Sequence, residues 1–271
     1  MHIGTIDGVL TKDWDMVRWD GTYRLARELG FEGLELGVGA RYDQSQLWSQ
    51  AGRRELYHLA QAAGIATPSI CLHAYWHHSF ASPDAAVRER ARQIALVGAQ
   101  AASDLGAKRI LIPLTCPKDV PDADARARWI DGIAACASIA QAAGVVYCLE
   151  NVGRPFADRP EQIIDIVDTI AHPAVMVYYD PANAVKNGQD PVEGIRTYGR
   201  RLGQLHVKES GGLYLGQGQV PWTRILPELK RIGYDGWLIL ETQPTDDPRA
   251  AARRNLETLR GWLQAILRDP S

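Results

Sequence analysis

Between Val145 and Glu241 four short apolar runs each end on a metal-binding type of side chain: VVYCLE (145–150), VMVYYD (175–180), LGQLH (202–206) and WLILE (237–241). Their last residues, Glu150, Asp180, His206 and Glu241, follow one another at 30, 26 and 35 residues. Each interval is about the length of one strand-plus-helix unit. Parallel strands that all finish at one rim bring such residues together. Three carboxylates and an imidazole converging there form a site for one divalent metal ion.

The same alternation extends outward in both directions. Further strand candidates are HIGTID (2–7), GLELG (33–37), ATPSICLH (66–73) and KRILIPL (108–114), while the third of the opening runs extends to LGQLHVK (202–208). Helical patterns lie between them. From Arg88 to Leu105, Ala91, Ile94, Ala95, Val97, Gly98, Ala101, Ala102 and Leu105 make an apolar stripe at 3/4 spacing. Trp129 to Ala143, Pro160 to Ile170 and Arg249 to Leu267 are similar. Glycine recurs where helices should stop, as in ELGFEG, DLGAK, QAAGV and RIGYDG. Eight strands in strict alternation with helices favour a closed parallel barrel, α/β in class, over an open doubly wound sheet. The open sheet would carry a glycine-rich phosphate loop after its first strand, and TIDGVLTKDW has none.

The 271 residues match the size of a single (β/α)₈ TIM barrel, and no Pro/Gly/Ser-rich linker divides them, so one domain over 1–271 is expected. Hydrophobic residues make up 46% and charged residues 23%, enough for a large core. A net charge of −2 argues against a phosphate-backbone binder and leaves no nucleic-acid partner expected. Cys71, Cys116, Cys136 and Cys148 form no C-x-x-C pair and read as reduced thiols. No signal peptide and no run of ~18 apolar residues is present, so the expectation is a cytoplasmic protein with no membrane partner.

Residues i and i+2 of a strand share a face, so Glu150 projects with Cys148, Asp180 with Tyr178, His206 with Lys208 and Glu241 with Ile239. Hard oxygens plus one imidazole suit Mn²⁺, with Mg²⁺ or Co²⁺ as alternatives. Any one of these residues could instead cap the following helix or pair with a lysine. The set of four at one rim is what argues for the metal.

Glu150 in LEN, Asp180 in YYDPAN, His206 in LHVK and Glu241 in LILE, with GFEGLEL (30–36), LGQGQVPW and GYDGWLILE, resemble the xylose isomerase-like TIM-barrel superfamily of sugar isomerases and epimerases. The resemblance covers nearly the whole chain. It implies that Glu150, Asp180, His206 and Glu241 hold one divalent metal, and that Glu150 and Glu241 are the catalytic acid/base pair. Proton abstraction next to the carbonyl of a ketose or keto-polyol, through a metal-stabilised enediolate, would then give isomerisation or epimerisation. A small-molecule carbohydrate is the implied partner, and a homodimer or homotetramer the implied assembly. The chain departs from the free-ketohexose epimerases at three positions. Phe156 stands for a glutamate, Asn183 for a histidine and Gly212 for an arginine.

Candidate substrate-binding residues are His73, Trp76, Arg154, Asn183, Lys208 and Trp222. Lys208 should face the same side as His206, and either grips a substrate oxygen or pairs with an inner carboxylate. His73 ends the third strand candidate, and Trp76 and Trp222 fall in expected rim loops where a ring could stack on a sugar. Asn183 either orients Asp180 or caps the following turn. Arg154 is the nearest cation for an anionic substrate, or else a solvated loop residue. Glu35 is expected as the buried partner of a lysine or arginine. His77 and His78 are expected in solvent, and GGLYLGQGQ (211–219) as a loop that closes over substrate. Three other readings compete: a lyase of inosose- or dehydroshikimate-dehydratase type, an abasic-site endonuclease, and a non-catalytic sugar-binding subunit. The endonuclease needs extra zinc-binding histidines, and RILIPLTCP offers none.

Overall fold

A parallel strand in a barrel is covered by helices outside and by packed side chains inside, so its sequence shows little polar alternation. The computed structural model describes residues 1–242 and 247–268. Its strands are β1 (His2–Ile6), β2 (Gly33–Gly37), β3 (Ser69–Cys71), β4 (Arg109–Pro113), β5 (Val146–Glu150), β6 (Val175–Tyr179), β7 (Leu202–Val207) and β8 (Trp237–Leu240). They pair in parallel in chain order, and β8 returns to β1 to close the barrel.

The helices are α1 (Asp7–Thr11), α2 (Thr22–Leu29), α3 (Gln50–Ala63), α4 (Ala85–Leu105), α5 (Asp122–Ala142), α6 (Pro160–Ile170), α7 (Pro181–Lys186), α8 (Pro191–Tyr198), α9 (Trp222–Arg231) and α10 (Pro248–Arg268). Each of the longer ones packs on the next, and α10 packs back on α2, so the outer ring closes as the barrel does. Gly30, Gly64 and Gly106 end α2, α3 and α4 in the left-handed region, the conformation glycine adopts without penalty.

Two local differences from the sequence reading have physical causes. The third strand, expected over 66–73, is confined to Ser69–Cys71. Pro68 lacks the N–H needed before it, and the chain turns into a 3₁₀ segment at His73–Trp76 beyond it. The short helices α7 and α8 were not foreseen, though both begin on the same Asp-Pro signal. Asp180 and Asp190 cap them, and Pro181 and Pro191 occupy the first turn.

One irregularity sets the position of the site. Val177 pairs with Leu202 but Tyr178 pairs with Gln204, so β7 carries an extra residue, Gly203. A bulge of this kind re-aims the side chains that follow it. Beyond it Gln204 and His206 point into the barrel, where both contact Glu35. A Cβ at Gly203 would lie 2.7 Å from Cys148 Sγ and 3.1 Å from Met176 Cβ. Gly203→Ala is therefore expected to destabilise the fold by about 1–3 kcal/mol, measured by denaturant unfolding. A change below about 0.5 kcal/mol would show that the bulge tolerates a side chain.

Candidate metal centre and active site

Glu150 is the last residue of β5, Asp180 follows β6 directly, His206 lies near the end of β7, and Glu241 follows β8. One donor atom from each of these four residues lies within 4.8 Å of the others. Asp180 and His206 are fully buried and Glu150 nearly so.

The cap of α7 orients Asp180. Its Oδ1 accepts the N–H groups of Ala182 (2.8 Å) and Asn183 (3.1 Å), which leaves Oδ2 facing the mouth. Asn151 locks the same peptide from β5. Its Nδ2 donates to Asp180 O at 2.9 Å and its Oδ1 accepts from Asp180 N at 2.8 Å. Asn183 Nδ2 then donates to Asn151 O at 2.9 Å. The side chain of Asn183 is thus committed to the frame behind the ligands.

Glu35 orients His206. In β2, Glu35 is fully buried, and its Oε1 lies 2.9 Å from His206 Nε2. Its Oε2 accepts from Tyr178 OH at 2.9 Å, from Gln204 Nε2 at 3.4 Å and from Ser69 Oγ. Every neighbour of Oε2 donates, so we assign the Nε2 proton to the bond with Oε1. Nδ1 then faces the mouth, 3.4 Å from Glu150 Oε1 and 3.2 Å from Glu241 Oε2, and would give up its proton on binding a metal. The Tyr178 ring packs edge-on against the imidazole with centroids 4.5 Å apart. Glu35 therefore partners a histidine, a tyrosine, a serine and a glutamine, not the lysine or arginine expected. A carboxylate behind a histidine fixes its tautomer and orientation as a metal ligand.

His206 Nδ1 is buried facing the carboxylates of Glu150 and Glu241, and Asp180 Oδ2 is buried facing Lys208. Three carboxylates against one lysine leave the cluster short of positive charge. Lys208 Nζ is the cation present, 2.5 Å from Asp180 Oδ2 and 3.0 Å from Glu241 Oε2. This donor set fits a divalent cation.

The charges separate the two glutamates. Burial pushes Glu150 up to about 7, against the pull of His206. Burial also raises Glu241, but the charges of His206 and Lys208 outweigh it and hold the group well below the usual carboxylate range. Burial lowers His206 and Lys208, while the surrounding carboxylates raise both well above their ordinary values.

His73 opens the 3₁₀ segment after β3 and is half-buried. A Cβ at Gly37 would lie 3.5 Å from its Nδ1 and 3.0 Å from Asp7 Oδ1, so the absent side chain lets both groups approach. Burial lowers the pKa of His73, with Glu241 pulling the other way. Trp76 is exposed, and the Arg154 guanidinium lies over its ring at 5.5 Å. Those two candidates are brought together across separate loops. Trp222 is not in a rim loop: it opens α9 with its ring fully buried, and offers no open face for stacking. His77 is exposed, but His78 is half-buried with its ring edge-on to Tyr42.

The glycine-rich stretch 211–219 is wrapped on a carboxylate of its own chain. Glu209 accepts N–H groups from Ser210 (2.8 Å), Gly216 (3.1 Å) and Val220 (2.9 Å). That anchors both ends of the loop.

Asp7, Asn151 and the Ser69–Tyr178–Gln204 group went unnoticed in the sequence. Asp7 follows β1 as Asp180 follows β6, and the apolar-run-then-acid pattern of HIGTID was the available signal. It accepts from Trp19 Nε1 (2.5 Å), Gly8 N (2.6 Å) and Gly37 N (2.9 Å). Burial pushes its carboxyl up to about 7.

The fold and the site together define a (β/α)₈ barrel with an acid-rich mouth. The chain belongs to the xylose isomerase-like TIM barrel family, matching it over residues 23–263. It is similar to the L-ribulose-5-phosphate 3-epimerase UlaE of Escherichia coli (strain SMS-3-5), 26% identical over 91% of this chain and 89% of that protein. Two solved structures share the fold. An L-ribulose 3-epimerase has a TM-score of 0.86 at 20% identity, covering 98% of this chain and 96% of the other. A D-psicose 3-epimerase in the presence of D-fructose has a TM-score of 0.81 at 22% identity, covering 97% and 99%. The chain is an enzyme of the sugar isomerase and epimerase class; the lyase, endonuclease and non-catalytic readings are not favoured. No described helix is long and apolar enough to cross a membrane.

Glu35→Gln is expected to weaken divalent-metal binding by about 10- to 100-fold, measured by calorimetric titration with Mn²⁺ on protein whose fold is checked by circular dichroism. Unchanged affinity would show that Glu35 does not orient His206.

Proposed function

We propose that this chain is a ketose 3-epimerase that works with one divalent metal ion, Mn²⁺ foremost, in a single barrel domain spanning residues 1–271. A cytoplasmic setting and a homo-oligomeric assembly belong to the same reading. The observation that carries it is the meeting of Glu150, Asp180, His206 Nδ1 and Glu241 at one point, three carboxylates with Lys208 as the lysine among them. A relative that covers nearly the same length and is named a ketose-phosphate 3-epimerase supports it.

A divalent ion held by these four residues would supply Lewis-acid polarisation of a carbonyl and its neighbouring hydroxyl. Glu150 and Glu241 handle the proton. They stand on β5 and β8, three strands apart around an eight-strand barrel, so their carboxylates reach the mouth from different sides. One can take the proton from C3 while the other returns one to the opposite face, which inverts that carbon.

Lys208, between Asp180 and Glu241, is placed to hydrogen-bond a substrate oxygen. His73 stands near Asp7 at the same rim, and Trp76 with Arg154 forms an aromatic and cationic wall beyond it. Asn183 acts through Asn151 and Asp180, holding the frame.

Protein loaded with Mn²⁺ and incubated with ketoses in D₂O should place solvent deuterium at C3 of both epimers, detected by NMR. Glu150→Gln and Glu241→Gln should each slow this by about 10²–10⁴-fold. Deuterium at C1, loss of water from the sugar, or exchange unaffected by either variant would overturn the assignment.

A further inference from the structure

Two glycines at the rim make room for a pair of rings. A Cβ at Gly8 would lie 2.4 Å from the Trp14 indole, and one at Gly37 would lie 3.5 Å from His73 Nδ1. The Trp14 and His73 rings stand beside each other with centroids 6.4 Å apart, tilted by 55°.

Gly37 lies on the same face of β2 as Glu35, which points into the barrel. On the neighbouring strand Ser69 bonds Glu35, and Cys71 pairs with Gly37. The layer directly above the Glu35–His206 bond is thus left without a side chain from β2, and the His73 imidazole enters that space. Glu241, His206 and Lys208 are close enough for their charges to act on it. The ring is half-buried, yet neither of its nitrogens has a hydrogen-bond partner among the described residues. Around the barrel β3 and β7 are four strands apart, on opposite sides of eight. A sugar held from the β5–β8 side therefore presents its other side to His73.

We propose that His73 is a specificity-determining residue of this site, holding a sugar hydroxyl on the carbon next to the enolised C2–C3 pair, at C1 or C4. The proposal rests on the ketose-epimerase reading of the same site. A neutral imidazole carries one donor and one acceptor, and a hydroxyl can use either. Its place opposite the metal ligands lets it fix the sugar's orientation without competing for the ion. A buried polar ring left without its hydroxyl loses a hydrogen bond, so a sugar lacking that group is rejected.

The test compares kcat/KM of the Mn²⁺-loaded protein for a ketopentose and its 1-deoxy and 4-deoxy analogues, in wild type, His73→Ala and His73→Asn. His73→Ala should lower kcat/KM for the full ketopentose by about 10- to 100-fold. For the analogue that lacks the hydroxyl held by His73, wild type and His73→Ala should be about equal, because the contact has already lost its other half. His73→Asn keeps a donor and an acceptor and should recover part of the loss. Mn²⁺ affinity, measured by calorimetry, should be the same in all three proteins. No loss with the full sugar, an equal loss with both analogues, or weaker Mn²⁺ binding in His73→Ala overturns the assignment while the epimerase reading stands. Turnover of no ketose by wild type overturns the epimerase reading. NMR of the His73 ring in Mg²⁺-loaded protein, titrated with the same three sugars, then decides the contact. Resonances that shift with the ketopentose but not with one deoxy analogue uphold it, and any other pattern overturns it.

Discussion

The hydrogen bond between Glu35 and His206 is the contact on which the rest of the site depends. It crosses the barrel interior from β2 to β7, where neither residue touches water. A carboxylate buried alone would be costly, and this one is tolerable because every oxygen has partners. Ser69, Tyr178 and Gln204 saturate Oε2, so Oε1 is left for the imidazole. The imidazole in turn has one nitrogen committed and one exposed to the mouth. A second frame does the same for Asp180, with Asn151 and the α7 cap taking Oδ1 and the backbone, and Oδ2 remaining. Both frames work by exhausting the alternatives of a side chain until one atom is left facing the mouth, where Lys208 meets that of Asp180.

That arrangement concentrates negative charge. Glu150, Asp180 and Glu241 lie together with Glu35 behind them, and like carboxylates in a low-dielectric setting repel strongly. His206 and Lys208 counter part of this, which is why the two glutamates end with different proton affinities. A divalent ion would add the rest of the compensation. The carboxylates that would hold the ion are also the ones placed for proton transfer. Binding and acid/base chemistry thus draw on one set of contacts.

Much of this was legible in the sequence because the barrel imposes a simple rule. Strands buried on both faces read as apolar runs, and their last residues reach the active rim, so Glu150, Asp180, His206 and Glu241 could be read from position alone. What lay behind them was not legible. Glu35 and His206 are 171 residues apart, and their meeting depends on barrel closure and on the extra residue at Gly203, neither of which leaves a local pattern. Trp222 misled because a loop and the first turn of a helix look alike in sequence when no cap residue marks the boundary. Its ring turned inward with α9.

Anomalous diffraction from crystals of the Mn²⁺-loaded protein, collected near the manganese edge, tests the central claim most directly. One ion per chain is expected, within about 2.0–2.4 Å of Glu150, Asp180, Glu241 and the Nδ1 of His206, with Nε2 still hydrogen-bonded to Glu35. An ion bound through Nε2, or held out of reach of His206 Nδ1 and Asp180 Oδ2, would contradict the account.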